Sequence, residues 1–458
     1  MKSRLRAVLM FILYSLMLPG IAWAGDTPTI DTGDTAFVII SAAMVMIMTP
    51  GLALFYGGMV RKKNVLSTMM LSFIVMSVVS VIWALYGYTL AFGPDIKSFI
   101  GGLDYLFLNG VGQEPASGTI PHVLFMAFQL MFALITVAII SGSIAERVRF
   151  SAFLAFIIIW VSVVYSPLAH WVWGGGWLMK LGTLDFAGGT VVHISSGVTG
   201  LVAALVIGKR KGYGTEPMVP HNLPMTVLGA ALLWFGWFGF NAGSALAANG
   251  LAASAFTVTH IAAAAGGLSW VIAEWLHHGK PTILGCVSGL IAGLVAITPA
   301  AGFVSAVPAI VIGLVVGPLC YFAVAVIKSK LGYDDSLDAF GIHGVGGTWG
   351  AIATGLFASK NVNEAGADGL FYGNAGLLVN QLIGVGATIL FAALATFIIL
   401  KLISTFMNLR VSSDDEVVGL DISLHGENAY AYTDDLVGSI TKEVKAPAEA
   451  AGTMVKTV

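Results

Sequence analysis

The sequence predicts an all-α polytopic membrane protein of about eleven transmembrane helices, in an inverted five-plus-five repeat plus a final helix. Three observations carry this. The 458 residues are 57% hydrophobic and only 10% charged, whereas soluble domains carry roughly 25% charged residues. So few charges cannot coat a water-facing surface, so lipid must be the main solvent. Apolar runs near the ~20 residues a bilayer requires recur along the chain. Basic residues fall asymmetrically between them.

The N-terminus has a pattern of its own. Lys2, Arg4 and Arg6 precede an apolar run from Ala7 to Leu18, followed by Ala22-Trp23-Ala24. A basic start, a short apolar stretch and a small-x-small site are expected of a cleaved signal peptide over 1–24. The alternative is an uncleaved anchor, for which the run is short. Cleavage leaves the mature N-terminus periplasmic, and the pattern suits the inner membrane of a bacterium. The expected spans are 35–60, 65–92, 121–144, 151–173, 187–208, 223–247, 254–277, 281–298, 304–327, 337–358 and 375–407. They make a transmembrane domain over 25–407. An odd number places the C-terminus in the cytoplasm.

Loop charge tests that topology. Loops assigned inside carry Arg61, Lys62, Lys63, Arg147, Arg149, Lys209, Arg210, Lys211, Lys280, Lys328 and Lys330; loops assigned outside carry Lys97, Lys180 and Lys360. The excess is on the cytoplasmic side, as the positive-inside rule requires. Glycine is frequent inside spans, which lets helices approach closely and keeps any pore narrow. The repeat itself rests on an echo. Asp185-Phe186-Ala187-Gly188-Gly189 opens the fifth span before His193, and Asp338-Ala339-Phe340-Gly341 opens the tenth before His343. The two spans start on opposite sides, as an inverted repeat produces. Residues 408–458 turn polar and read as a soluble cytoplasmic tail.

Ionisable groups inside spans are costly and are functional candidates by default. Glu274 and Asp338 sit near inner helix ends, where caps or local pairs account for them. His260 sits near an outer end and reads as interfacial. His193 and His343 lie deeper, in glycine-rich spans, without a neighbouring carboxylate on their own turn. Two facing imidazoles can satisfy each other and leave their outer nitrogens to a small polar solute; alternatively each bonds a carbonyl and only packs. No third ligand at helical spacing points to a metal. Asp185 precedes His193 by eight residues, on one face and roughly 12 Å apart. It either stabilises a cation outside or caps the helix. Phe128, Phe132, Trp173, Trp234, Trp237 and Phe240 either offer faces to a partly dehydrated cation or belong to belt and core. Ser244 shares a face with Phe240.

At these residues the sequence resembles the ammonium transporter family (Amt/Mep/Rh), and most closely its bacterial Amt branch. The matching stretches are PGLALFYGG at 50–58, AFQLMFALIT at 127–136, AERVRFSA at 145–152, HWVWGGGWL at 170–178, DFAGGTVVHISSG at 185–197 and PHNLPM at 220–225. GWFGFNAGS at 236–244, GLVAITPAAGF at 293–303, DAFGIHGVGG at 338–347 and GLDISLHGENAY at 419–430 continue the series. The resemblance implies an outer vestibule that recruits ammonium through Trp173, Phe132 and Ser244, supported by Asp185. It implies a gate of Phe132 and Phe240 with Phe128 nearby, and a pore lined by His193 and His343 beside Trp237. It also implies a homotrimer, and a tail that helps bind a PII-type signalling protein through Gly419, Asp421, His425, Gly426, Glu427 and Tyr430.

A bare ammonium ion in a narrow apolar pore costs several kcal/mol even by softened estimates. No ring of carbonyls or carboxylates is in view to replace its hydration shell. The expectation is therefore that ammonium, or its analogue methylammonium, loses its proton near the gate and crosses as ammonia. The rival readings are an ammonium sensor signalling through a PII-type protein with little flux, and an ion-coupled carrier of larger amines. A net charge of −2 gives no support for nucleic-acid binding, and no nucleophile–base or metal constellation supports an enzyme or a cofactor.

Overall fold

The computed structural model describes residues 29–116 and 118–430. The expected signal peptide and the tail beyond Tyr430 lie outside the described residues. The structure is almost entirely helical. Its long helical segments, in order, are α1 (Thr32–Met59), α2 (Lys62–Phe92), α3 (His122–Ile144), α4 (Phe150–Leu181), α5 (Gly189–Ile207), α6 (Leu223–Ala245), α7 (Gly250–His278), α8 (Ile283–Ile297) and α9 (Ala306–Leu331). Then come α10, a π turn Phe340–Gly344 running into Val345–Phe357, and α11 (Ala375–Ser404). All but α8 and α10 are long and apolar enough to cross a membrane. Each coincides with an expected span to within about four residues, except that α4 runs on to Leu181, past the expected end at 173.

Side-chain caps fix where several helices begin. Asp31, Asn222, Asn249, Thr282 and Asn374 each accept a backbone N–H from the first turn of the helix that follows, satisfying donors the helix itself leaves unpaired. The outward faces are apolar: Val81, Leu228, Leu268, Leu276 and Leu390 are all exposed. A surface of such residues is stable against lipid and not against water. π turns interrupt α4 at Val161–Tyr165 and α9 at Ala323–Ile327, and open both α5 at Gly189–Ile194 and α10 at Phe340–Gly344. The fourth and ninth, and the fifth and tenth, segments thus share their irregularities, and such bulges concentrate at functional sites. One feature the sequence did not suggest is a small outer hairpin, Asp95–Ile96 paired with Ile100–Gly101.

At the inner end, several of the basic residues read as topological signals turn inward. Arg61 and Arg210 both reach Glu146 at 3.0 Å, and Arg210 also reaches Asp334 at 2.7 Å. Burial pushes the Glu146 carboxyl up, but Arg210 and Arg61 outweigh it and hold it below the ordinary range. Arg147 is fully buried and donates to the carbonyls of Gly208 and Asp334. Four loops are tied together by these contacts.

The polar tail was expected to be solvated, but its described part is docked. Leu409 accepts the Arg149 N–H, and Arg147 accepts the Val411 N–H. Two short helices follow, α12 (Ser413–Val418) and α13 (Leu420–His425). Lys63 Nζ donates to the carbonyls of Glu416 and Val417 at 2.7 Å. Asp421 Oδ1 accepts the Ser67 N–H at 2.8 Å, and Asn64 Oδ1 accepts the Leu420 N–H at 2.8 Å. Polar composition misled here because these side chains are spent on caps and loops of the bundle, a use that hydropathy cannot distinguish from hydration.

Candidate functional site

The two histidines meet because their helices can touch. A Cβ on Gly197 of α5 would lie 2.2 Å from the Gly344 backbone nitrogen of α10, so only glycine permits this crossing. His193 and His343 then face each other, Nδ1 to Nδ1 at 3.2 Å, with ring centroids 5.2 Å apart. In a neutral pair one Nδ1 carries the proton and the other accepts it. Both rings are buried, and His193 Nε2 has no hydrogen-bond partner in the structure. The pair reading, rather than the carbonyl-bonded one, describes this geometry.

The start of each histidine helix is held by an aspartate. Asp185 Oδ1 accepts the N–H groups of Gly188 and Gly189, and Oδ2 accepts that of Thr190, all at 2.7 Å. The Thr190 hydroxyl donates to Oδ2 as well. Gly188 takes φ +115°, a conformation that favours glycine, and so lets the chain fold around the carboxylate. The carboxylate of Asp185 is therefore a cap. Its tie to Trp173 runs through its carbonyl oxygen, which accepts the indole N–H at 2.8 Å.

The equivalent in α10 is not Asp338. Asp338 pairs with Lys328 at 2.6 Å. Asp335 is the cap, accepting the N–H groups of Ala339 at 3.2 Å and Phe340 at 2.8 Å. The signal was available in the sequence: Asp335 stands eight residues before His343, as Asp185 does before His193. The Asp-Ala-Phe-Gly similarity drew the alignment three residues out of register.

From Trp173 the aromatic rings run in sequence to the histidines. Trp173 meets Phe132 edge-on at 6.0 Å, and Phe132 stacks on Phe240 at 4.2 Å. Phe128 packs edge-on against Phe132 at 5.0 Å. Phe240 lies 6.0 Å from His193, and Trp237 stacks on His193 at 5.4 Å. Trp237 is fixed by donating to Thr298 Oγ1 at 2.9 Å. Ser244, one turn beyond Phe240, donates to the Phe240 carbonyl at 2.8 Å, which leaves its oxygen lone pairs to accept a donor. Trp234 does not join this series. It stacks on His260 at 5.3 Å, and His260 is exposed on α7.

The space around the histidine pair has a volume of about 10 Å³ and is walled by apolar side chains including Leu52, Phe55, Ile135, Leu233 and Ile342. That is room for about one water-sized molecule. Tyr56 also lines it, its hydroxyl donating to the Ile139 carbonyl at 3.1 Å. Sequence reading did not single out Tyr56 or Thr298, because a neutral hydroxyl in an apolar span carries no charge to mark it. Glu274 accepts from Thr282 at 2.9 Å, a local pair as expected. Among the described residues no group of three His, Cys, Asp or Glu side chains is placed to hold a metal ion.

The tail residues form a separate cluster against the first turns of α2 and α4 and the loop before α6. Gly419 (φ +107°) passes over Lys63, His425 packs edge-on against Phe150 at 5.4 Å, and Gly426 ends α13. The Glu427 N–H donates to the Asp421 carbonyl, and the Tyr430 hydroxyl meets His221 Nε2 at 2.8 Å.

Residues 36–430 match the model of the Ammonium Transporter Family. An ammonium transporter of Bacillus subtilis is 60% identical over 400 residues, covering 87% of this chain and 98% of that protein. Ammonium transporter Amt1 of Archaeoglobus fulgidus is 52% identical, covering 87% and 99%. Among solved structures, Saccharomyces cerevisiae Mep2 superposes with a TM-score of 0.80 at 39% identity, covering 84% of this chain and 89% of that one. A structure described as a sensor Amt protein superposes equally, at 0.80, with 30% identity and coverage of 86% and 98%.

Proposed function

This multi-pass membrane chain belongs to the ammonium transporter family, and from that premise we propose that it conducts ammonia drawn from external ammonium, past a phenylalanine gate and a twin-histidine pore. The observation that carries the reading is the unbroken series of rings from Trp173 through Phe132 and Phe240 to His193 and His343. The indole and phenyl faces and the Ser244 oxygen suit a cation that still holds its protons. Deeper in, no carboxylate lines the space around the histidines, so an ammonium ion there would keep neither its water nor a counter-charge. The proton is therefore released near Phe132 and Phe240. Ammonia passes by donating to and accepting from the imidazole edges. Methylammonium is the expected analogue.

The same reading places the chain in the inner membrane as a homotrimer, with 1–24 as a cleaved signal, 25–407 as the transport domain and 408–458 as the cytoplasmic tail. The five-plus-five inverted arrangement is supported by the paired π turns and by the two aspartates eight residues before the histidines. Support for the trimer comes from His260 and the neighbouring Phe235 and Phe256, exposed on the outer faces of α6 and α7, since a membrane histidine normally faces protein. The docked tail offers a cytoplasmic surface for a PII-type protein.

The likeness to a sensor Amt structure favours one second reading, an ammonium sensor with little flux. Purified protein in proteoliposomes separates the two. Transport predicts ammonium-driven currents that exceed those under potassium, and loss of the current or of that discrimination when His193→Leu and His343→Leu are combined. Wild-type current and selectivity in that double variant would refute the histidine role. Absence of current from the wild type would favour the sensor.

A further inference from the structure

The cytoplasmic face carries a second cavity that the pore does not use. It lies between the loop joining α1 to α2 and the docked tail, and has a volume of about 490 Å³. Its polar lining is Arg61, Lys62, Lys63, Asp421, Asn428 and Tyr430. Three basic side chains and one acidic one line it, and Glu146 behind the lining offsets the charge of Arg61. The Arg61 guanidinium is anchored by Glu146 at 3.0 Å. Lys63 Nζ is held by two carbonyl oxygens, which hydrogen-bond its charge without cancelling it. Lys62 Nζ stands 5.8 Å from the Tyr430 ring centre. Crowded cations of this kind are stabilised by a multiply charged anion, and the guanidinium fork and lysine ammonium groups suit phosphate oxygens.

A second observation is independent of that charge. Asp421 is 2% exposed; its Oδ1 accepts the Ser67 N–H, while its Oδ2 has no hydrogen-bond partner among the described residues. A buried carboxylate oxygen left without a donor is costly, and a ligand that brings an N–H removes the cost. We propose that this cleft binds a phosphate-bearing molecule that also presents an N–H donor. The phosphate sits among Arg61, Lys62 and Lys63, and the donor reaches Asp421. One wall is the α1–α2 loop and the other is the tail, so an occupant bridges them and holds the tail in its docked position. Two sources supply this chemistry: a soluble nucleotide, and the headgroup of an aminophospholipid from the inner leaflet.

The test uses the full chain in nanodiscs. In phosphatidylcholine discs, ATP and inorganic pyrophosphate are titrated by calorimetry. In discs containing phosphatidylethanolamine, retained lipid is read by native mass spectrometry. Lys62→Gln is expected to weaken whichever probe binds by about tenfold, the loss of one charge-assisted contact. Lys330→Gln, at an exposed cytoplasmic lysine outside the cleft, is the control and leaves binding unchanged. Protection of the tail from protease by the bound probe, lost in Lys62→Gln, supports the bridging role. ATP binding more tightly than pyrophosphate assigns the donor to a nucleotide, and selective retention of phosphatidylethanolamine assigns it to lipid. The proposal is overturned if none of the three probes binds, or if Lys330→Gln weakens binding as much as Lys62→Gln.

Discussion

Adding one methyl group to Gly197 should uncouple the histidine pair. The new Cβ would stand 2.2 Å from the Gly344 nitrogen and 2.6 Å from its Cα, whereas ordinary contact begins at 3.4 Å. Both contacts are backbone, so no side chain can swing away. The α5–α10 separation must grow by roughly 1 Å, the difference between 3.4 and 2.2 Å. Carried to the histidines, that stretches the 3.2 Å Nδ1–Nδ1 contact beyond hydrogen-bond range. Overpacking of this kind costs about 1–3 kcal/mol, and the lost hydrogen bond adds about 1 kcal/mol. Gly197→Ala is therefore expected to lower the melting temperature of the purified protein and to cut ammonium-driven proteoliposome current at least tenfold. Gly386→Ala is the matched control: it lies in α11 with nothing within 4 Å of the added carbon. That change should leave current intact and stability equal or slightly higher, since alanine is the better helix former. If Gly197→Ala keeps wild-type stability and current, the close crossing does not set the histidine geometry.

Asp335→Asn should cost about 2–3 kcal/mol, because an amide replaces a carboxylate that accepts two backbone N–H groups; thermal unfolding of the purified protein measures this, and an unshifted melting point would deny Asp335 its capping role. Arg210→Met strips Glu146 and Asp334 of a shared buried partner and should destabilise by about 3–5 kcal/mol. Arg210→Lys should recover only part of that, since one ammonium cannot reproduce the fork; full recovery would argue against bidentate pairing. Asp95 is held at about 2 by hydrogen bonds from His170 and then Lys180. A depressed carboxylate stabilises above its unfolded value, near ~3.9, and the contribution is lost as pH falls from there toward 2. Melting curves between pH 5 and 2 should show this loss in the wild type and a smaller one in Asp95→Asn; identical slopes would sink it.

Much of the architecture could be read from residue order. The positions of the long apolar helices follow from bilayer thickness, and His193 and His343 stand out by the cost of a polar group inside an apolar span. The aromatic set was visible as residue types, and the family resemblance grouped its members around the gate. Three things were not legible. Asp338 is the local pair that was one of its two expected readings, but the echo was aligned on it rather than on Asp335 because local similarity outweighed spacing. The tail was taken as solvated because polar residues that cap helices and polar residues that face water have the same composition. The start of α7 at Gly250, four residues before the apolar run was expected to begin, was the third, because it is set by the Asn249 cap.

The sequence by itself determined that this chain lives in lipid, how many apolar segments it can thread, and which few polar groups lie within them. Those are one-dimensional properties: each is a cost or gain counted along a single helix. The meeting of His193 with His343 is of another kind. It depends on Gly197 and Gly344 letting two distant helices touch, on Asp185 and Asp335 fixing where those helices start, and on Phe132 and Phe240 stacking from separate helices at 4.2 Å. The two caps are local, but the Gly197–Gly344, His193–His343 and Phe132–Phe240 contacts join residues more than a hundred positions apart, so only the packed bundle decides them.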